Sequence, residues 1–211
     1  YGIFYDPTVF LINQNYARTV GQKAITGWAD LQNLKEPRIC MENLSNSIST
    51  QNFLGAFADN VGEQTSLTYF WNLNRFNNEY GKFPFSTVRK TAVGDADIGI
   101  TRQSYVFKYL ENKFPAYVII PKEGTPIDLY GMGLFRDCAN ESKAQIFMEW
   151  LMTSSDMQIF SQQMQTGYEF LFNDAGSINK TEGLWLNNSY LTWKAQEDLS
   201  NRWLDIVRFS K

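Results

Sequence analysis

The chain has 211 residues and a mass of 24.4 kDa, enough for one substantial domain or two small lobes with a real core. Its 44% hydrophobic and 19% charged residues exclude a disordered chain, and a net charge of −3 leaves no basic surface for a nucleic acid, so no such partner is expected. Histidine is absent, which excludes Ser-His-Asp and Cys-His catalysis, imidazole bases and histidine-containing metal sites.

Thr8-Val-Phe-Leu-Ile12 reads as a buried strand after an Asp6-Pro7 turn. A second short strand is predicted over 38–42, entered through Pro37. The next segment, 43–50, is dense in hydroxyl and amide side chains. It runs into Phe53, Leu54, Phe57, Ala58 and Val61, a helical stripe for which Ser47 or Ser49 is a fitting N-cap. Another helix is predicted over 66–76, with Leu67, Phe70 and Trp71 facing inward, and Ser86 is expected to cap a short helix ending before Gly94.

Residues 97–101 carry a strand signal, and 105–110 a helical one. Further strands are predicted over 116–121 and 131–135. Beyond Arg136 the pattern becomes helical, with Ala144, Phe147, Met148 and Leu151 on one face. Ser155-Asp-Met-Gln158 reads as a capping-box start for a helix carrying Met157, Phe160 and Met164, with Gly167 as its stop. Trp193, Leu199, Trp203, Ile206 and Val207 predict a final amphipathic helix. Strands and helices alternate, which implies an α/β fold with a mixed sheet. No stretch approaches the ~20 apolar residues of a membrane span.

Cys40 and Cys138 are far apart and lack CxxC spacing, which argues against a metal pair or a thioredoxin-type motif. Two readings of them stay open: small buried apolar residues, or a long-range disulfide in an exported protein.

The chemistry concentrates in two places. A hydroxyl-rich loop entering a helix presents unpaired backbone N–H groups and the positive end of the helix dipole, a setting that suits an oxyanion. Its candidates are Ser45, Ser47, Ser49 and Thr50, and ordinary helix capping is the competing account. Arg102 follows the predicted strand over 97–101, where open α/β sheets gather ligands, and Tyr105 could add a hydroxyl. A surface arginine at a helix start competes with that reading. Tyr69, Phe70, Trp71, Phe76 and Tyr80 have the spacing of core residues. The carboxylate pairs Asp95/Asp97 and Glu111/Glu123 show no partner logic and read as solvated turns, and Asn187-Asn-Ser189 fits the glycosylation pattern.

In order, these segments resemble an extracellular solute-binding protein. Tyr1-Gly-Ile-Phe-Tyr-Asp-Pro followed by Val9-Phe-Leu-Ile-Asn13 is similar to the crossover into that family's second lobe. Gly27-Trp-Ala-Asp-Leu31, then Arg38-Ile-Cys-Met-Glu-Asn43 and its serine-rich loop, resembles the family's order of motifs. So do Ala92-Val-Gly-Asp-Ala-Asp-Ile-Gly-Ile-Thr101, Gly131-Met-Gly-Leu-Phe135 and Ser154-Ser-Asp-Met-Gln158. The resemblance is to the ferric, anion and phospho-organic branch of ABC-transporter binding proteins, with the type II periplasmic fold.

The resemblance implies a C-terminal portion without the first lobe: a ligand-binding lobe over 1–135, then a helical return segment and C-terminal helix over 136–211. It implies a non-enzymatic solute-binding component of an ABC-type import system, periplasmic or extracellular, with or without a lipid anchor ahead of Tyr1. The expected partners are a small anionic solute and a membrane permease. No cofactor and no metal are expected. Ferric-binding members place adjacent tyrosines after the strand matching 97–101, whereas here Tyr105 stands between Ser104 and Val106 near Arg102, a poor ferric site. An extracellular sensor or transport-regulatory domain of the same fold is the alternative, with ferric-ion binding a more distant one. Apolar faces carrying Phe147, Leu151 and Phe160 imply self-association of such a portion.

Overall fold

The computed structural model describes residues 1–21, 25–110, 114–164, 166–171 and 182–209. In chain order its elements begin with β1 (Gly2–Asn13), α1 (Gln14–Val20), α2 (Trp28–Leu31), β2 (Ile39–Glu42), α3 (Ile48–Val61) and α4 (Glu63–Asn74). They continue with β3 (Asn77–Gly81), α5 (Pro84–Val93), β4 (Ile98–Arg102), α6 (Gln103–Leu110), β5 (Ala116–Ile119) and β6 (Thr125–Gly131). The last are α7 (Glu141–Thr153), α8 (Ser155–Met164), β7 (Glu169–Phe170), β8 (Leu184–Trp185), α9 (Trp193–Trp203) and a π-helical turn, Leu204–Arg208.

β1 organises the molecule. Its first half pairs antiparallel with β6 and β7, and its second half antiparallel with β4 and β5. β2 lies parallel between β3 and β4, so the sheet is mixed, in the order β3-β2-β4-β1-β6-β8. The run Val9–Ile12 is apolar at every position because both faces of the strand are covered. Phe10 and Ile12 join a large core with Trp28, Leu54, Phe57, Phe70 and Trp203. Val9 and Leu11 face Val88 of α5 and Val106 of α6 in a smaller one. Gly99 lets α5 lie directly on β4, since a Cβ there would sit 2.6 Å from the Thr91 hydroxyl.

The expected mixed α/β fold is observed, with several local corrections. Asp6-Pro7 is not a turn: both residues lie within β1, at the point where its partner changes from β6 to β4 and β5, a place where a proline is tolerated. The helix expected to be capped by Ser86 begins earlier, at Pro84, whose fixed φ suits the first helical position, so Ser86 lies inside it. It does end at Gly94, which takes a left-handed φ of 91°. Trp71 is 54% exposed, because the inward face of α4 is Leu67, Phe70 and Leu73. Residues 132–135 are not a strand; the strand lies earlier, at β6. Ser154 rather than Ser155 caps α8, its Oγ accepting from the Asp156 amide.

Both cysteines are free thiols, Cys40 buried and Cys138 half-buried. Asp97 is no solvated turn residue, since it holds the Arg38 guanidinium at 2.6 Å. Glu123 accepts from the Trp28 and Ala29 amides at the start of α2, while Glu111 lies outside the described residues. Asn187 is buried and spends its amide on Tyr190, so Asn187-Asn-Ser189 does not present a free acceptor for a glycan.

Past residue 136 the chain divides. α7 and α8 leave Ile146, Phe147, Trp150, Ile159 and Phe160 exposed. α9 and the π-helical turn instead pack on α3 and α4, burying Leu199, Trp203 and Val207 in the large core.

Candidate functional site

The site lies where β4 ends, α3 begins and β6 passes beneath them. Ser47 caps α3 through a reciprocal pair: its Oγ accepts from the Thr50 amide at 3.2 Å, and Thr50 Oγ1 accepts from the Ser47 amide at 3.1 Å. Ser45 donates its amide and its hydroxyl to Asn43 Oδ1, at 3.0 and 2.8 Å. Three of the four predicted hydroxyls therefore shape the turn. The fourth, on Ser49, donates across to Asp128 of β6. The Ile48 and Ser49 amides find no acceptor among the described residues, which is the ordinary condition of a first helical turn.

Arg102 comes to the same place from β4. Its Nε lies 2.6 Å from Asp128 Oδ2, its Nη1 lies 3.6 Å from Glu42 Oε1, and its guanidinium carbon stands 5.7 Å from the centre of the Tyr105 ring. The side chain is almost wholly buried. Burial alone would lower its pKa, but Asp128 and Glu42 more than offset that and carry it upward. The arginine is thus a charge already met inside the protein. Asp128 is fully engaged, taking Arg102, Ser49 and the Asn52 amide nitrogen at 2.9 Å.

A third carboxylate completes the cluster. Asp6 of β1 accepts from the Ser104 amide at 3.1 Å and from the Ser104 hydroxyl at 2.6 Å, anchoring the start of α6. Burial pushes its pKa from 3.8 to about 6, against the lowering effect of Ser104 and Arg102. Around this polar group stand Phe4, Tyr130, Tyr168 and Phe170, with the Phe4 and Tyr130 rings stacked at 4.8 Å. Burial, aided by Asp128, pushes the Tyr130 hydroxyl up to about 12.

Two hollows open here. One of about 20 Å³ is lined by Thr8, Glu42, Thr50, Phe53, Thr101 and Arg102. A wider one of about 400 Å³ runs past Ser49, Asn52, Asp128, Tyr130, Asn187 and Gln196. Of the predicted residues, Thr50 and Arg102 share the first hollow and Ser49 lines the second. Tyr105 stands beside Arg102, while Ser45 and Ser47 sit behind, within the loop. Sequence reading missed Asp128, Asn52, Glu42 and Asp6. Asn52 is readable in hindsight, three residues after Ser49 and so on the same helical face. Among the described residues no group of three or more His, Cys, Asp or Glu is arranged to hold a metal ion, and no helix is long and apolar enough to cross a membrane.

No family model matches the chain. An uncharacterized protein of Haemophilus influenzae is 24% identical over 109 residues, which are 50% of this chain and 31% of that protein. The match thus spans about a third of that relative's length. Solved structures are more informative. The periplasmic binding protein AfuA of Actinobacillus pleuropneumoniae, with exogenous fructose-6-phosphate bound, superposes with a TM-score of 0.73 at 21% identity, over 99% of this chain and 68% of that one. The fold is that of the periplasmic binding proteins.

Two further structures agree. The substrate-binding protein of an ABC transporter from Agrobacterium tumefaciens gives a TM-score of 0.74 at 15% identity, over 99% of this chain and 66% of that one. Ferric iron-binding protein A of Mannheimia haemolytica, in an open conformation, gives 0.71 at 15% identity, over 99% and 68%.

Proposed function

We propose that this chain is the solute-gripping part of a binding component of an ABC-type import system, located in the periplasm or outside the cell and delivering its cargo to a membrane permease. It carries out no covalent step. The solute is a small molecule bearing an oxyanion. The observation that carries this reading is the convergence of the first turn of α3 with Ser49, Arg102 and Asp128 on neighbouring hollows. In this reading the Ile48 and Ser49 amides supply the donors, with Thr50 and the cap residues Ser45 and Ser47 holding the turn in shape. Arg102, held by Asp128 and Glu42, contributes a fixed guanidinium beside Tyr105. The division into a binding lobe over 1–135 and a return segment over 136–211 belongs to the same proposal, with α9 docked back on the lobe.

A thermal-shift panel tests it, comparing phosphate, sulfate, phosphorylated organic acids, polyamines, sugars and ferric ion on the purified protein. Oxyanions and phosphorylated acids are expected to raise the melting temperature. Stabilisation by ferric ion, polyamines or neutral sugars alone would overturn the anionic reading.

A further inference from the structure

Glu42 ends β2 at the floor of the smaller hollow, nine-tenths buried. Unlike Asp128 and Asp6, it accepts no hydrogen bond among the described residues. Its nearest charged neighbour, Arg102 Nη1 at 3.6 Å, is beyond hydrogen-bond reach and turns its Nε to Asp128 instead. A largely buried carboxylate that only the hollow supplies with donors is poorly solvated, and burial accordingly pushes the Glu42 pKa up, with Arg102 offsetting only part of the effect. The charges around it do not balance: Glu42, Asp128 and Asp6 all act on the single guanidinium of Arg102.

The hollow over Glu42 is about 20 Å³. Its charge, more than its size, decides what can enter, because the Glu42 carboxylate lines it. A phosphate or sulfate placed against Glu42 is repelled by it, whereas the head of a primary ammonium is drawn to it. The oxyanion of a solute is therefore placed away from Glu42, over the first turn of α3 on the side where Ile48, Ser49 and Asn52 line the wider hollow beside Asp128, with the Arg102 guanidinium between the two hollows.

We infer that the solute is zwitterionic: its oxyanion meets the start of α3, and a primary ammonium enters the hollow lined by Thr8, Thr50 and Thr101 to pair with Glu42. This rests on the oxyanion reading above and narrows it to a class, small phosphates, phosphonates or carboxylates that carry an unsubstituted amine. An ammonium there supplies the donors that Glu42 lacks and brings the buried charges nearer to balance.

Calorimetric titration of the purified protein with three probes tests the inference: 2-aminoethyl phosphate, its near-isostere n-propyl phosphate, and phosphocholine. The amine is expected to bind at least about tenfold more tightly than propyl phosphate, the worth of one charge-assisted contact. Phosphocholine, whose trimethylated head has no N–H to donate to Glu42, is expected to fall with propyl phosphate. In Glu42→Gln the ratio of the first two affinities is expected to move toward one. Equal binding of the amine and propyl phosphate in the native protein overturns the inference while leaving the oxyanion reading standing. So does tight binding of phosphocholine, or a preference that survives in Glu42→Gln. Should Glu42→Gln fail to fold, the native protein's three-way ranking decides alone. If none of the three probes binds, the oxyanion reading fails and takes this inference with it.

Discussion

Arg102 Nε and Asp128 Oδ2 lie 2.6 Å apart, and this one contact joins the end of β4 to the middle of β6 through the floor of the site. Both side chains are nearly buried, so either one left alone would be an unpaired charge in a poor solvent for it. Asp128→Ala is expected to destabilise the protein by about 3 kcal/mol or more, and the double variant with Arg102→Ala by less than the sum of the two single losses. Equilibrium urea unfolding of the four proteins checks this. Additive losses would show that the pair is not coupled.

The serine-rich loop separates into residues that build the turn and one that crosses the site. Ser47→Ala is expected to cost about 1 kcal/mol of stability, because the Thr50 amide loses its acceptor. Ser49 is not a cap, so Ser49→Ala is expected to act on solute affinity more than on the urea midpoint. A Ser49→Ala loss of stability equal to that of Ser47→Ala, with affinity untouched, would contradict this assignment.

Asp6 gives the protein a pH dependence of known sign. Its native pKa is raised to about 6 from 3.8, chiefly by burial. Between those values the folded protein holds a proton that the unfolded chain has released, so stability falls as pH rises through that window. The loss from this group is up to roughly 3 kcal/mol, complete above the native pKa. Urea midpoints measured at steps across the window are expected to show this fall in the native protein and a shallower one in Asp6→Asn. Identical profiles would remove Asp6 as the cause.

Much of the fold could be read from the sequence because the relevant signals were local. Val9–Ile12 and Ile98–Ile100 are apolar runs between two covered layers, and the stripe from Phe53 to Val61 has helical period. What escaped depended on tertiary context. β3 is written Asn-Asn-Glu-Tyr-Gly, with little strand propensity, and it is a strand because β2 supplies its backbone partners. Pro7 reads as a turn residue until β1 is seen to change partners there. Asp128 could not be found for the same reason: it sits 26 residues beyond Arg102 in an alternating segment containing a proline, and only the pairing of β1 with β6 brings it to the arginine.

The C-terminal helix is part of the core. Trp203 is fully buried, its ring edge-on to Tyr80 at 5.3 Å, and its indole nitrogen has no partner among the described residues. Trp203→Ala is expected to cost about 3–5 kcal/mol, with a smaller loss for Trp203→Phe, which keeps most of the ring without an unmet donor. A mild effect of the alanine variant would mean that α9 docks only loosely.

α7 and α8 present a different surface. Phe147 is 57% exposed and Phe160 49%, with Ile146, Trp150 and Ile159 exposed nearby. Apolar area of that kind favours association, so sedimentation velocity is expected to show a mass that grows with concentration, and Phe147→Asp to reduce the growth. A monomer at high concentration would contradict it.

The central claim is that a solute's oxyanion is held at the first turn of α3. Backbone amide chemical shifts followed during titration with an organic phosphate test it most directly. The Ile48 and Ser49 amides are expected to move most, with smaller shifts at Asn52 and around Arg102. Saturable binding that leaves Ile48 and Ser49 unmoved, with the largest shifts elsewhere on the molecule, would contradict the account.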